Sequence, residues 1–105
     1  MKIKEIADVL YDEFEKSETI MEIGEISPIE DEEIINLTIY DAIDAHERIK
    51  VDGYDDWSIK EYIYREICDY INYILKKLNV SADFDFDYER ADENTICISG
   101  TLTIE

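Results

Sequence analysis

Twenty-eight of the 105 residues are Asp or Glu, so carboxylates are the one abundant chemistry this chain carries. Two carboxylates can act as general acid and base, but only where their surroundings push the two pKa values apart. Nothing in the sequence selects such a pair from so many. One run has the spacing of a metal loop: Asp83-x-Asp85-x-Asp87 matches the opening of a calcium site. Its sixth position is Tyr88, where that loop needs a glycine for its sharp turn, and the interleaved Phe84 and Phe86 mark a strand. The single histidine, His46, could join a zinc site only if the fold gathered it with Cys68 and Cys97 from three distant positions. An exposed or capping His46 is the simpler expectation. No serine or cysteine stands beside a plausible base, and three glycines form no phosphate-binding loop. The sequence therefore predicts no catalytic residue, no metal and no cofactor. It does not read as an enzyme.

Carboxylates at regular spacing can do something else, which is to imitate a row of phosphates. Asp83, Asp85, Asp87 and Glu89 alternate with Phe84, Phe86 and Tyr88. On a strand they share one face at intervals of about 6.6 Å. That is inside the Debye length of about 8 Å at physiological salt, so the four repel one another. Each strand of DNA presents one charge per about 3.4 Å of helix axis. A second array, Glu5, Asp8, Asp12 and Glu15, falls on one side of the first helix at 100° per residue. Joined, the two arrays could occupy a groove built for phosphates. A plainer role stands beside this one: acids on an exposed sheet blunt its edge and keep it dissolved. Among the aromatics, Tyr64 falls away from the apolar stripe of its helix, which predicts an exposed ring able to anchor a partner, although packing at the edge of the core is the commoner role for such a ring.

These residues need elements to position them. Ile3, Ile6, Ala7, Leu10 and Phe14 define an amphipathic helix over 2–16. Residues 19–26 read as a strand ending near Gly24. Ser27-Pro28-Ile29-Glu30 then has the pattern of a helix start, with Ser27 as cap and Pro28 at the first helical position. Ile34 to Tyr40 is rich in β-branched residues and predicts a strand, although Ile35, Ile39, Ala42, Ile43 and His46 also fit a helical period. A further strand is expected at about 47–51, before the Asp52-Gly53 turn signal. The clearest helix spans 57–78, capped by Asp55 or Asp56, with Lys76 and Lys77 at its C-terminal end. Residues 80–89 and the stretch from Ile96 to Ile104 predict a hairpin turning at residues 91–94. The order α-β-β-(β)-α-β-β gives an α+β domain, with two helices on one face of an antiparallel sheet.

The length suits a single domain, and a 46% apolar composition supports a core without disulfides. The net charge is −18. It is uneven: residues 57–79 carry +1, while residues 1–27, 28–56 and 80–105 carry −5, −8 and −6. Such a surface repels DNA, RNA and anionic lipid, which excludes direct nucleic-acid and membrane binding. Its natural partners are cationic: a basic nucleic-acid-binding protein, a cationic peptide, or loosely held divalent metal ions. Cys68 and Cys97 form no C-x-x-C motif and are expected as free thiols, and the acidic N-terminus lacks the apolar run of a signal peptide. Both features predict a cytoplasmic protein.

In length, in the −18 charge, in the face of Glu5, Asp8, Asp12 and Glu15, and in the Asp83–Glu89 ladder, the chain resembles small acidic proteins of phages and mobile elements. These are the DNA-mimic type of anti-CRISPR and anti-restriction inhibitors. The likeness is compositional, covers the whole chain and rests on no specific motif. It implies a stoichiometric, non-catalytic inhibitor seated on the nucleic-acid-binding surface of an effector such as the CRISPR nuclease Cas9. The alternative is an acidic interaction or regulatory module that makes contact through aromatic surface, its acids serving solubility.

Overall fold

A computed structural model describes residues 2–52 and 55–105, with residues 50–52 described by their backbone. Helix α1 (Ile3–Lys16) is followed by strand β1 (Ile20–Ile29), a 3-10 turn at Glu30–Glu32 and strand β2 (Ile34–Ala42). A second 3-10 turn (Ile43–Ala45) leads into the short helix α2 (Glu47–Asp52) and the long helix α3 (Asp56–Lys77). Strands β3 (Ala82–Asp92) and β4 (Thr95–Ile104) close the chain as a hairpin. The four strands form one antiparallel sheet in the order β1-β2-β4-β3. The α+β class, the two helices and the antiparallel sheet are those the sequence predicts.

Alternation decides which side chains go inside. Ile35, Leu37 and Ile39 on β2 and Ile96, Ile98 and Leu102 on β4 are buried on one face, opposite the apolar stripes of α1 and α3. From α1 this core takes Ile3, Ile6, Ala7, Leu10 and Phe14; from α3 it takes Ile63, Ile67, Ile71, Ile74 and Leu75. Helix α1 lies over β1 and α3 over β3. Phe14 stacks on Tyr70 with ring centroids 5.7 Å apart, and the Tyr70 hydroxyl donates to the Glu13 carbonyl at 2.9 Å, which ties the two helices. Asp55 caps α3 by accepting from the Ser58 N–H at 2.9 Å, which also holds its carboxyl below the ordinary range.

Three local expectations are corrected. β1 does not end at Gly24 but runs on to Ile29. Its isoleucines 20, 23 and 26 are spaced by three, a period no regular strand can place on one face. Register shifts between Ile20 and Glu22 and between Ile23 and Glu25 absorb the extra residues, so all three pack on the core while Glu22 and Glu25 turn to solvent. Second, Ser27 and Pro28 are strand residues rather than a helix start, paired with Asn36 and Ile35. Proline is tolerated because β1 is an edge strand. The chain then makes only a 3-10 turn with no side-chain cap, closed by Glu33 in the left-handed region at φ 54°. Third, residues 47–52 are helix α2, not a strand. The predicted Asp52-Gly53 turn lies partly outside the described residues.

Gly100 is the tightest point of the hairpin. It faces Leu37 and Phe86 in the register, and φ is 152°, a region side chains rarely adopt. A Cβ there would run into the Asp85 carbonyl oxygen and sit 2.9 Å from the Phe86 ring. Gly100→Ala must therefore displace backbone. The expected loss is at least about 1–3 kcal/mol. For a domain of this size each kcal/mol lowers Tm by about 4–8 °C, so a thermal melt monitored by circular dichroism checks it. A melt within about 2 °C of wild type would contradict the tight approach.

Candidate functional site

The face of the sheet turned away from the helices carries the charge pattern. On β3, Asp83, Asp85, Asp87 and Glu89 are all exposed, while Phe84, Phe86 and Tyr88 turn to the core. Their partners on β4 are Thr103, Thr101, Ser99 and Cys97, and the next strand adds Ile34, Asn36, Thr38 and Tyr40. Beyond these, β1 contributes exposed Glu22 and Glu25 opposite Tyr40 and Thr38. The result is a floor of hydroxyl, amide and thiol groups between two acidic rims. β1, β2 and β4 contain no Lys or Arg. The one base on β3, Arg90, pairs with Asp56 at the start of α3 and donates to the Asp92 and Glu93 carbonyls at 3.1 and 2.7 Å. Six carboxylates carried on the strands thus share this face, with no cation between them among the described residues.

A further carboxylate, Glu105, adjoins one end of the row. Glu105 is hydrogen-bonded to Asp83, and that bond with the Asp83 charge pushes its carboxyl above the ordinary range.

The acids of α1 go elsewhere. Glu5, Asp8, Asp12 and Glu15 are exposed on the side of α1 opposite its buried stripe. Since α1 packs on the inner face of the sheet, these four look out from the helix layer, and the β3 row looks out from the sheet layer. The fold separates the two arrays instead of joining them. Tyr64 is also not the exposed anchor its helical position suggests: it is half-buried, its ring 4.9 Å from that of Tyr88, between α3 and β3. Among the described residues the exposed aromatic rings are Tyr11, Trp57 and Tyr73, and Tyr73 lies under the Lys77 ammonium at 4.3 Å. Cys68 and Cys97 are free thiols, as expected, and half-buried. Cys68 packs against the core and Cys97 belongs to the outer face, so the sheet stands between them. Among the described residues no group of His, Cys, Asp and Glu is arranged to hold a metal ion.

A second cluster was hidden from sequence reasoning. Asp41 continues the inward alternation of Ile35, Leu37 and Ile39, and is fully buried. Its carboxylate accepts from the Ala42 N–H at 3.0 Å and meets His46 Nε2 at 3.1 Å. His46 is 7% exposed, correcting the expectation of a surface histidine, and its Nδ1 pairs with Glu66 on α3. Glu66 in turn accepts from the Tyr62 hydroxyl at 2.8 Å. The signal was present: an Asp at the fourth inward position of a strand requires a buried partner, and the one histidine comes five residues later. An Asp–His pair is also the geometry of a general base. Here the second ring nitrogen, which would face a substrate, is closed by Glu66. The cluster holds a proton and pins the segment after β2 to α3.

No protein-family model, curated protein or solved structure matches this chain.

The His46 proton has a consequence for stability. Burial opposes the charge, but Asp41 and then Glu66 outweigh it, and the pKa is raised above its ordinary 6.5. A raised folded-state pKa contributes stability that is fully present below about pH 6.5 and is lost as pH rises through the folded value. Denaturation midpoints should therefore fall as pH increases from 6.5 through the folded-state pKa. His46→Gln should flatten that slope and lower stability by roughly 3–5 kcal/mol, because Asp41 would stay buried without its cation. An unchanged slope in the variant would assign the proton to another group.

Proposed function

We propose that this protein is a non-catalytic inhibitor of the cytoplasm that binds the basic, nucleic-acid-binding surface of an effector, such as a CRISPR nuclease, by presenting carboxylates in place of phosphates. The observation that carries the reading is the outer sheet face: six carboxylates in two rims, fixed on strands, with no base between them among the described residues. Phosphate-binding surfaces are built from Lys and Arg, and such a face offers them charge without the counterions that real nucleic acid must shed. The rims are about three strand spacings apart, roughly 14 Å, comparable to the major groove of about 12 Å between phosphate backbones. Carboxylates on strands are also held in place, so little side-chain entropy is lost on contact compared with an acidic tail.

Replacing Asp83, Asp85 and Asp87 with Asn tests this directly. All three are exposed on one face, so stability should stay within about 0.5 kcal/mol of wild type or rise slightly as repulsion falls. Association with a basic effector should slow by about tenfold, because the lost charges steer encounter. Stopped-flow binding to a CRISPR nuclease, with added DNA or guide RNA as competitor and a salt titration, reads both effects. Wild-type binding that ignores salt and competing nucleic acid would overturn the proposal.

A further inference from the structure

We propose that the open sheet face is a seat for an α-helix of the partner that carries Lys and Arg along both flanks and small polar residues underneath. This rests on the proposed function in taking the outer face as the contact, and it adds which element of the partner makes it. The middle of the floor consists of short side chains, Asn36 and Thr38 on β2 and Ser99 and Thr101 on β4, all half-buried and aligned across the two central strands, with Tyr40 and Ile34 at its two ends. Short side chains let a helix approach closely. A helix with its side chains is about 10–12 Å across, which fits between rims about 14 Å apart. An extended strand, laid on the same floor, would leave one rim out of reach of its side chains.

Charge complementarity selects the occupant. The rims hold Glu22 and Glu25 on one side and Asp83, Asp85, Asp87 and Glu89 on the other, with no base between them among the described residues. A second copy of this chain would oppose carboxylates to carboxylates, and nucleic acid would be repelled outright. Sheet twist turns each outer strand by roughly 30° from the middle of the sheet, so the rims flank about two helical turns rather than the full row. The asymmetry of the rims also sets direction: the flank facing β3 should carry more bases than the flank facing β1. These are the dimensions and charges of a helix that enters a DNA major groove.

The test uses two synthetic peptides of about 15 residues, long enough to match a row of about 20 Å. Both carry Lys and Arg on two flanks of an Ala/Ser helix; in the second, two central alanines become proline, which removes the helix and leaves the charge. Isotope-labelled full-length protein is titrated with each at low salt. The helical peptide should bind at least about tenfold more tightly, since each proline costs a helix about 3 kcal/mol. Amide shifts should gather at Asn36, Thr38, Ser99 and Thr101, and Ser99→Arg or Asn36→Lys, whichever melts as wild type, should weaken binding about tenfold. Equal affinity of the two peptides, or shifts centred on Glu5, Asp8, Asp12 and Glu15 of α1, overturns the helix seat. Competition between the intact protein and DNA for a basic effector is read separately. If competition is seen while the peptides bind equally, charge mimicry survives and the helix seat fails. If neither peptide binds and there is no competition, both fail.

Discussion

A carboxylate cannot be taken out of water without a cation or several donors to receive it, and this chain has twenty-eight carboxylates and one core. That constraint fixes nearly every other choice in the structure. Among the described residues Asp41 is the one buried acid, and it is held by His46 and the Ala42 N–H. All other acids must find surface, so each element is amphipathic with a charged side. Helix α3 escapes the pattern because Arg65 and Lys60 pair with Glu61 and Asp56 one turn away, which leaves it close to neutral. The strands cannot use that device, since three of the four have no base at all. Apart from the inward Asp41, their acids therefore stand on the outer face without a base beside them among the described residues.

How much of this is legible in the sequence depends on where period and chemistry agree. The strict alternation over Phe84, Phe86 and Tyr88, and the helical stripes of α1 and α3, each admit one structure, and the structure has it. β1 fails the test because its isoleucines are spaced by three and its Ser27-Pro28 pair imitates a helix start; only pairing with β2, through two irregularities, makes it a strand. Helix α2 is six residues long, too short for a period to declare itself. Of the candidate site, the β3 row could be read residue by residue. Its opposite rim could not, because Glu22 and Glu25 reach the outer face only through those same irregularities. Tyr64 was misplaced for a related reason: helical angle says which way a ring leaves its helix, not that β3 would rise to meet it through Tyr88.

The separation of the two acidic arrays bears on the kind of contact this protein can make. A single groove cannot grip the α1 acids and the β3 row together, since they point out from opposite layers. The α1 acids lie on the surface of a helix, among Lys2, Lys4 and Lys16 nearby in sequence, and α1 and the residue before it carry bases that dilute the field. The sheet face has no such dilution. Both arrays add to the long-range attraction of a basic partner, because a field sums over the whole molecule. Only the sheet face combines that field with a fixed geometry.

Fixed geometry is also what makes the repulsion tolerable. Four like charges on one strand would favour unfolding if they could scatter, and their mutual cost is of the order of a few tenths of a kcal/mol per neighbour pair. They stay in line because the other side of the same strand is Phe84, Phe86 and Tyr88 packed on the core, with Phe84 and Phe86 stacked at 5.5 Å. Burying one such ring is worth roughly 2–3 kcal/mol, several times the repulsion behind it. The aromatic face thus holds the acidic face in register, and the strand keeps unneutralised charge facing outward. Release of that repulsion is available only to a partner that brings cations to the row. The residues that hold the strand in the core are therefore the same ones that keep its outer face poised for a basic surface.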